Sequence, residues 1–146
     1  RRIMQFLPKD TSFSVSDIED KNIEIAKKNL QNVKVSKENV YSLTFDDNEF
    51  DLIFCLEVLE HLDDPEIALR EIFRVAKKDV IVSVPNEPLW RILNMARLKY
   101  LSDFGNTPGH LNHWSESDFV NLLSDYGKVI DIKKPLPWTM LRVLKA

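Results

Sequence analysis

The chain is poor in cysteine and glycine, and both shortages exclude classes of protein. Its 146 residues contain one cysteine, Cys55, so no internal disulfide can form. Cys55 lies in an apolar, strand-like run, where a thiol usually behaves as a small buried hydrophobe. The three glycines never form a GxGxxG pattern before a helix, which argues against a nicotinamide-dependent dehydrogenase. We therefore expect a protein of the reducing cytoplasm.

The chain also lacks a dominant charge and long hydrophobic runs. Its 20 basic and 23 acidic residues give a formal charge of −3, and no basic stripe with interleaved aromatics suggests nucleic acid. No stretch of about eighteen apolar residues predicts a signal peptide or a membrane span. The expected partner is a small molecule, and the oligomeric state is left open.

Alternating patterns predict the fold of a single domain. Apolar and alternating runs predict strands at residues 12–18, 32–36, 50–57 and 79–85, and two more in "KVIDIKK" and "TMLRVLKA". Amphipathic patterns predict helices at 20–30, from Pro65 to Lys78, and at 115–127, with Gly127 as a left-handed stop. This order predicts an α/β, Rossmann-like doubly wound sheet, mostly parallel with an antiparallel C-terminal strand.

Polar residues follow several of the predicted strands. Asp17, Asn39, the segment from Glu57 to His61 and residues 84–87 all come just after strand ends. Ligands of doubly wound folds bind beyond the carboxyl ends of the strands. The functional site is expected among these residues.

Several motifs, in this order, resemble class I S-adenosylmethionine-dependent methyltransferases, including ubiquinone-biosynthesis enzymes. They are "SVSDIEDKNIEIAKKN", "VYSLTFDDNEFDLIFCLEVLEHLDDPEIALREIFRVAKK", "VIVSVPN" and "HWSESDFVNLLSDYG". The resemblance runs from about Phe13 to the C-terminus. It implies a Rossmann-like fold, S-adenosylmethionine as the cofactor and transfer of its methyl group.

The resemblance also implies which residues bind the cofactor. Asp17, with Ile18 beside it, matches the acidic residue that receives the ribose hydroxyls, and a carboxylate can accept both hydrogen bonds. Asn39 matches a position near the adenine amino group, and Val40 supplies the following backbone amide. The segment that passes the methionine end is matched by Cys55, Leu56 and Glu57.

The family's glycine-rich turn, of the type E/D-x-G-x-G, has no counterpart, since the glycines stand at 105, 109 and 127. "RRIMQFLPKD" resembles the helix before the family's first strand, and "TSFSVSDI" resembles its second strand. Parallel neighbours need a dozen or more connecting residues. We therefore expect a segment of roughly twenty residues, containing the central strand, to be missing near residues 9–12. The alternative is a non-catalytic Rossmann-like binding module that has lost the cofactor.

The sequence "EVLEH" gathers candidate catalytic residues. Glu57, Glu60 and His61 can converge within one turn. The pattern is similar to ubiquinone-biosynthesis and small-RNA 2′-O-methyltransferases, which implies a divalent metal on these three side chains, completed by His110 or His113. His61 is alternatively a general base, with Glu60 as the other catalytic candidate. The structural alternative is that Glu60 and His61 only begin the loop and cap the next helix.

The long connection at residues 86–114 resembles the acceptor-binding lid of relatives. An amphipathic pattern predicts a helix from Leu89 to Leu101, followed by the glycine- and proline-rich "FGNTPGH". Candidate substrate residues are Asn86, His110, His113 and Trp114. The Glu and His cluster favours O-methylation of a small-molecule acceptor.

Overall fold

The computed structural model describes residues 6–86, 89–100, 104 and 106–146. The chain divides into two compact units, residues 1–44 and 45–146. Residues 1–5 of the segment "RRIMQFLPKD", which resembles a helix of the family, and parts of the predicted lid lie outside the described residues. No helix in the described ranges combines the length and apolar character needed to cross a membrane.

The first unit is built from two parallel strands and the helix between them. Strand β1 (Phe13–Asp17) pairs with β2 (Val33–Lys37), so that Phe13 lies opposite Val33 and Asp17 opposite Lys37. Helix α1 (Asp20–Asn29) connects them and buries Ile23. Its last turn contains Lys27 and Lys28, where positive charge favours the helix dipole.

The second unit contains a mixed sheet. Its strands are β3 (Phe50–Leu56), β4 (Ala76–Pro85), β5 (Gly127–Lys133) and β6 (Trp138–Lys145), in the order β3-β4-β6-β5. Strands β3 and β4 are parallel, whereas β6 is antiparallel to both β4 and β5. The predicted α/β class, with parallel pairs and an antiparallel C-terminal strand, is confirmed.

Among the described residues, the α-helices of this unit are α2 (Pro65–Val75), α3 (Leu89–Ala96) and α4 (Glu116–Ser124). The side chains of Asp64 and Ser115 cap α2 and α4, because they accept hydrogen bonds from the amides of Ile67 and Asp118. The core consists of buried side chains from β4, β6, α2 and α4, including Val80, Val82, Leu141, Val143, Ala68, Leu69, Phe119 and Leu123.

Three predicted helix ends are wrong. Helix α2 stops at Val75, because Ala76 adopts an extended conformation and begins β4, and Lys77 and Lys78 lie in that strand. The helix predicted to reach Leu101 ends at Ala96, and Leu98 then has a φ of 55°, outside the right-handed region. Gly127 begins β5 instead of ending a helix. A side chain there would collide with the carbonyl oxygen of Leu144, so the close approach of β6 requires glycine.

Two parallel strands lie at the ends of their sheets. Strand β1 pairs only with β2, and β3 pairs only with β4, among the residues that the structure describes. Residues 6–12 form turns and bends that contain no strand. The predicted missing segment therefore stays a prediction, and β1 and β3 both offer an edge with which a further strand could pair.

Candidate active site

Asp17 ends β1 with its carboxylate held in place. Its Oδ1 accepts a hydrogen bond from the backbone amide of Glu19 at 2.9 Å, and its Oδ2 accepts one from Asn22 Nδ2 at 3.0 Å. These bonds fix the carboxylate at the start of α1, where the side chain of Glu19 provides no cap. Each oxygen keeps acceptor capacity for a ligand hydroxyl. Ile18 beside it is 55% exposed.

Asn39 forms a turn after β2. Its Oδ1 accepts from the amide of Tyr41 at 3.0 Å, and its backbone forms an isolated bridge with Ser42. An amide oxygen has two lone pairs, so this local bond leaves room for a second donor. Val40 is half-buried within the turn.

Glu57 leaves β3 in an uncommon conformation. Its φ is 57°, in the left-handed region, and its amide donates to the carbonyl of Ser83 at 3.2 Å. Its Oε1 accepts from Ser83 Oγ at 2.7 Å, so β4 fixes the side chain. Backbone strain of this kind is found preferentially at functional sites. Leu56 before it is half-buried.

Glu60 is a buried carboxylate in the short 3₁₀ turn Leu59–His61. It is 1% exposed, and its Oε2 has no hydrogen-bond partner in the described part of the chain. Burial raises the pKa of Glu60 to about 7, and the charge of Glu57 contributes, while the backbone amide of Glu60 and nearby His61 oppose the shift. Burial, with the charge of Glu60, also raises the pKa of Cys55 to about 12, so that thiol stays protonated and unreactive.

His61 and His110 lie side by side, although they come from distant parts of the chain. His61 also contacts Gly109, which precedes His110 and is 48 residues away from His61. The ring centroids of the two histidines are 5.0 Å apart. His61 Nδ1 is 2.8 Å from the carbonyl oxygen of Gly109, which can only accept, so Nδ1 carries the proton and Nε2 of neutral His61 has a free lone pair. The Gly109 backbone, with a φ of 89°, uses the left-handed conformation that glycine tolerates best.

His110 is buried, and its environment opposes a positive charge. Burial lowers its pKa, and the neighbouring rings of His61 and His113 add to this effect. Its Nδ1 has no hydrogen-bond partner among the described residues, and its ring stacks near Trp90 with 6.0 Å between centroids. Ligand atoms of Glu60, His61 and His110 all lie within 4.8 Å of one another.

A loop that carries His110 is fastened to the turn that carries Glu60 and His61. We call residues 106–114 the histidine loop. The amides of Leu111 and Asn112 donate to the carbonyl of Glu60 at 2.7 and 3.1 Å. Asn112 Nδ2 donates to the carbonyls of Leu59 and Leu62 at 3.2 and 2.6 Å. Asn112 therefore joins the histidine loop to the turn, two residues after His110.

Thr107 anchors the other side of the histidine loop. Its hydroxyl oxygen accepts from Trp90 Nε1 at 2.9 Å and from Asn94 Nδ2 at 3.2 Å, both on α3. Neither Thr107 nor Asn112 was predictable from the sequence, because isolated threonine and asparagine residues in a loop carry no pattern. The only available signal was their position on both sides of His110.

The other predicted substrate residues point to different partners. His113 Nε2 pairs with Asn106 Oδ1 at 2.7 Å, and among the described residues it is not in the group of converging ligand atoms. Trp114 packs against Phe119 of α4 with 5.9 Å between centroids. Asn86 Nδ2 donates to Thr139 Oγ1 at 2.9 Å. Glu87 lies outside the described residues.

Comparison with known proteins assigns the family. The family model for a methyltransferase domain matches residues 5–84, more than half of the 146 residues. The chain belongs to this family, which confirms the resemblance to class I S-adenosylmethionine-dependent methyltransferases and the assignment as an enzyme of that class. No curated protein matches the chain.

Solved structures share the fold. A methyltransferase chain from the complex with the Haloferax volcanii Trm112 methyltransferase activator is 13% identical, with a TM-score of 0.78, over 99% of this chain and 76% of that one. The magnesium protoporphyrin IX methyltransferase of Synechocystis PCC 6803, solved with bound SAH, is 17% identical with a TM-score of 0.69 over 93% and 65%. A SAM-dependent methyltransferase from Thermotoga maritima is 17% identical with a TM-score of 0.71 over 99% and 86%.

Proposed function

We propose that the protein transfers the methyl group of S-adenosylmethionine to a hydroxyl of a small-molecule acceptor in the cytoplasm. The family match over residues 5–84 carries this proposal, because it includes Asp17 and the turn with Glu60 and His61. The methyl carbon of a sulfonium is already activated, so the protein must mainly align the acceptor and manage one proton. This requirement suits a site with no dedicated nucleophile.

His61 is the proposed general base. Its Nδ1 donates to the Gly109 carbonyl, which leaves Nε2 to accept a proton from the acceptor hydroxyl. His61 is exposed, as a residue that meets a diffusing substrate must be. Glu60, which is buried nearby, supports the charge that His61 gains when it takes the proton.

The proposed cofactor residues keep the roles implied by the family. Asp17 and Ile18 bind the ribose, Asn39 and Val40 bind the adenine, and the methionine end passes Cys55, Leu56 and Glu57. Cys55 contributes through its backbone, because its thiol is buried and protonated. The ordered carboxylate of Asp17 supports its role, since little conformational freedom is lost on binding.

The proposed acceptor residues are Asn86, His110, His113 and Trp114. The position of His110 beside His61 supports it most directly. A divalent metal on Glu57, Glu60 and His61 stays a prediction. The described ligand atoms that converge belong to Glu60, His61 and His110, while the carboxylate of Glu57 is bonded to Ser83.

Binding of S-adenosylhomocysteine, the product of methyl transfer, tests the proposal, because no glycine precedes residue 105. At a hundred times its dissociation constant, a ligand of the folded state stabilises a protein by about 2.7 kcal/mol. We expect a thermal shift with S-adenosylhomocysteine and none with adenosine diphosphate. Absence of any shift, both in this chain and in the natural gene product, would contradict the proposed use of this cofactor.

A further inference from the structure

We propose that α3 and the residues after it form a surface that docks on an anionic lipid membrane. Four exposed apolar side chains, Ile92, Leu93, Leu98 and Phe104, make up this surface, and we call them the apolar patch. The inference concerns where the protein is held and is independent of methyl transfer.

The orientation of α3 carries the first step. Among its eight residues, all of which the structure describes, Asn94 alone is buried. Asn94 Nδ2 and Trp90 Nε1 donate to Thr107 Oγ1 at 3.2 and 2.9 Å, so the side of α3 that carries Asn94 faces the histidine loop. A surface helix normally buries its apolar stripe and exposes its polar side. Helix α3 is turned the other way.

The outward face of α3 is apolar. Leu89, Ile92, Leu93 and Ala96 follow one another at spacings of three, one and three residues, which places them on one face of a helix. Ile92 is 52% exposed, and Leu93 and Ala96 are exposed as well. This face therefore meets solvent with side chains that water solvates poorly.

Exposed apolar side chains continue beyond the helix. Leu98 is 78% exposed and Phe104 is 72% exposed. Arg91 Nε donates to the carbonyl of Phe104 at 3.0 Å, which holds that residue beside α3. Exposed apolar surface of this kind, rimmed by polar residues, marks a site of interaction with a protein or a membrane.

The local charge indicates an anionic partner. Residues 89–100, "LWRILNMARLKY", contain Arg91, Arg97 and Lys99 and no acidic residue, although the whole chain has a formal charge of −3. Arg97 and Lys99 are exposed beside the apolar patch. A second copy of the chain fits this surface poorly, because self-contact brings the same basic residues together. Anionic headgroups above an acyl layer match both the charge and the apolar side chains.

The length of α3 defines how it docks. At 1.5 Å per residue, an eight-residue helix is about 12 Å long, whereas the hydrocarbon core of a bilayer is about 30 Å thick. The helix therefore lies in the plane of the interface. Its apolar side chains enter the boundary of the acyl layer, and Arg97 and Lys99 contact lipid phosphates.

The test measures binding of the natural gene product to vesicles by co-sedimentation. The vesicles contain phosphatidylcholine alone or mixed with phosphatidylglycerol. We expect binding to the anionic vesicles that weakens at high salt, and weaker binding to the neutral ones. Ile92→Ser should lower the partition coefficient at least roughly fivefold, because the transfer of this side chain is lost. Arg97→Gln with Lys99→Gln should lower it roughly fivefold for each charge.

Ile25→Ser is the matched control, because Ile25 of α1 is an isoleucine with a similar exposure of 50%. It should bind vesicles like the unmodified protein, and circular dichroism checks that every variant is folded. Lack of binding to anionic vesicles, or equal losses in Ile25→Ser and Ile92→Ser, would overturn the proposal. So would a dimer in sedimentation velocity that Ile92→Ser dissociates, since it assigns the apolar patch to a second copy. Binding of S-adenosylhomocysteine, measured on the same samples, should not change in any variant.

Discussion

At the scale of single residues, the carboxylates proposed as site residues have different surroundings. Asp17 is held by a backbone amide and by Asn22, Glu57 is held by Ser83, and Glu60 keeps one oxygen without a partner. The sequence predicted all three as site residues from their places after strands. It could not predict how the three differ in burial and hydrogen bonding, because these properties depend on β4 and the histidine loop, which are distant in the chain.

Replacing Asp17 tests the proposed ribose contact. A hydrogen bond to a charged group contributes about 1.5–3 kcal/mol, so Asp17→Ala should weaken S-adenosylhomocysteine binding roughly tenfold to a hundredfold in calorimetry. Asp20→Ala is the control, since it removes an equal charge that pairs with Lys37 at an exposed surface. An unchanged affinity in Asp17→Ala would contradict the assignment. Circular dichroism checks that α1 persists in both variants.

At the scale of elements, the strands and helices were predictable but their junctions were not. Periodicity found β1 to β6 and the four helices within a few residues. The ends of α2 and α3 were wrong, because strand pairing of Ala76 and the left-handed conformation of Leu98 override local helix preference. The position of His110 beside His61 likewise depends on the hydrogen bonds of Thr107 and Asn112, which no sequence pattern predicts.

The hydrogen bonds of Asn112 should stabilise the histidine loop measurably. Asn112→Ala removes donors from the carbonyls of Leu59 and Leu62 and should lower the free energy of unfolding by about 1–3 kcal/mol. Urea denaturation in metal-free buffer measures this change. Asn106→Ala, in the same loop, removes one exposed bond to His113 and should change stability by about 0.5 kcal/mol or less. Equal losses of unfolding free energy in the two variants would show that the bonds of Asn112 contribute no more stability than the exposed bond of Asn106.

At the scale of the whole molecule, the α/β class followed from the order of elements, while the division into two sheets did not. The sequence predicted a central strand that the described residues do not contain. Strands β1 and β3 consequently end their sheets, although β3 is apolar on both faces, as in "FDLIFCL". Such strands normally have a neighbour on each side.

The natural gene product is therefore expected to contain roughly twenty additional residues near Lys9 to Ser12, enough for a strand and its connection. Proteolytic fragmentation and mass spectrometry of the protein from its native source measure this directly. A peptide read without interruption from Pro8 to Phe13 would rule out the insertion.

Gly109 has an effect that a survey of side chains would overlook. Its carbonyl decides which nitrogen of His61 holds the proton, and its φ of 89° disfavours every residue with a Cβ atom. A mutational scan limited to ionisable groups would therefore miss a determinant of the reactivity of His61. The chemical state of that imidazole is encoded at a position with no side chain.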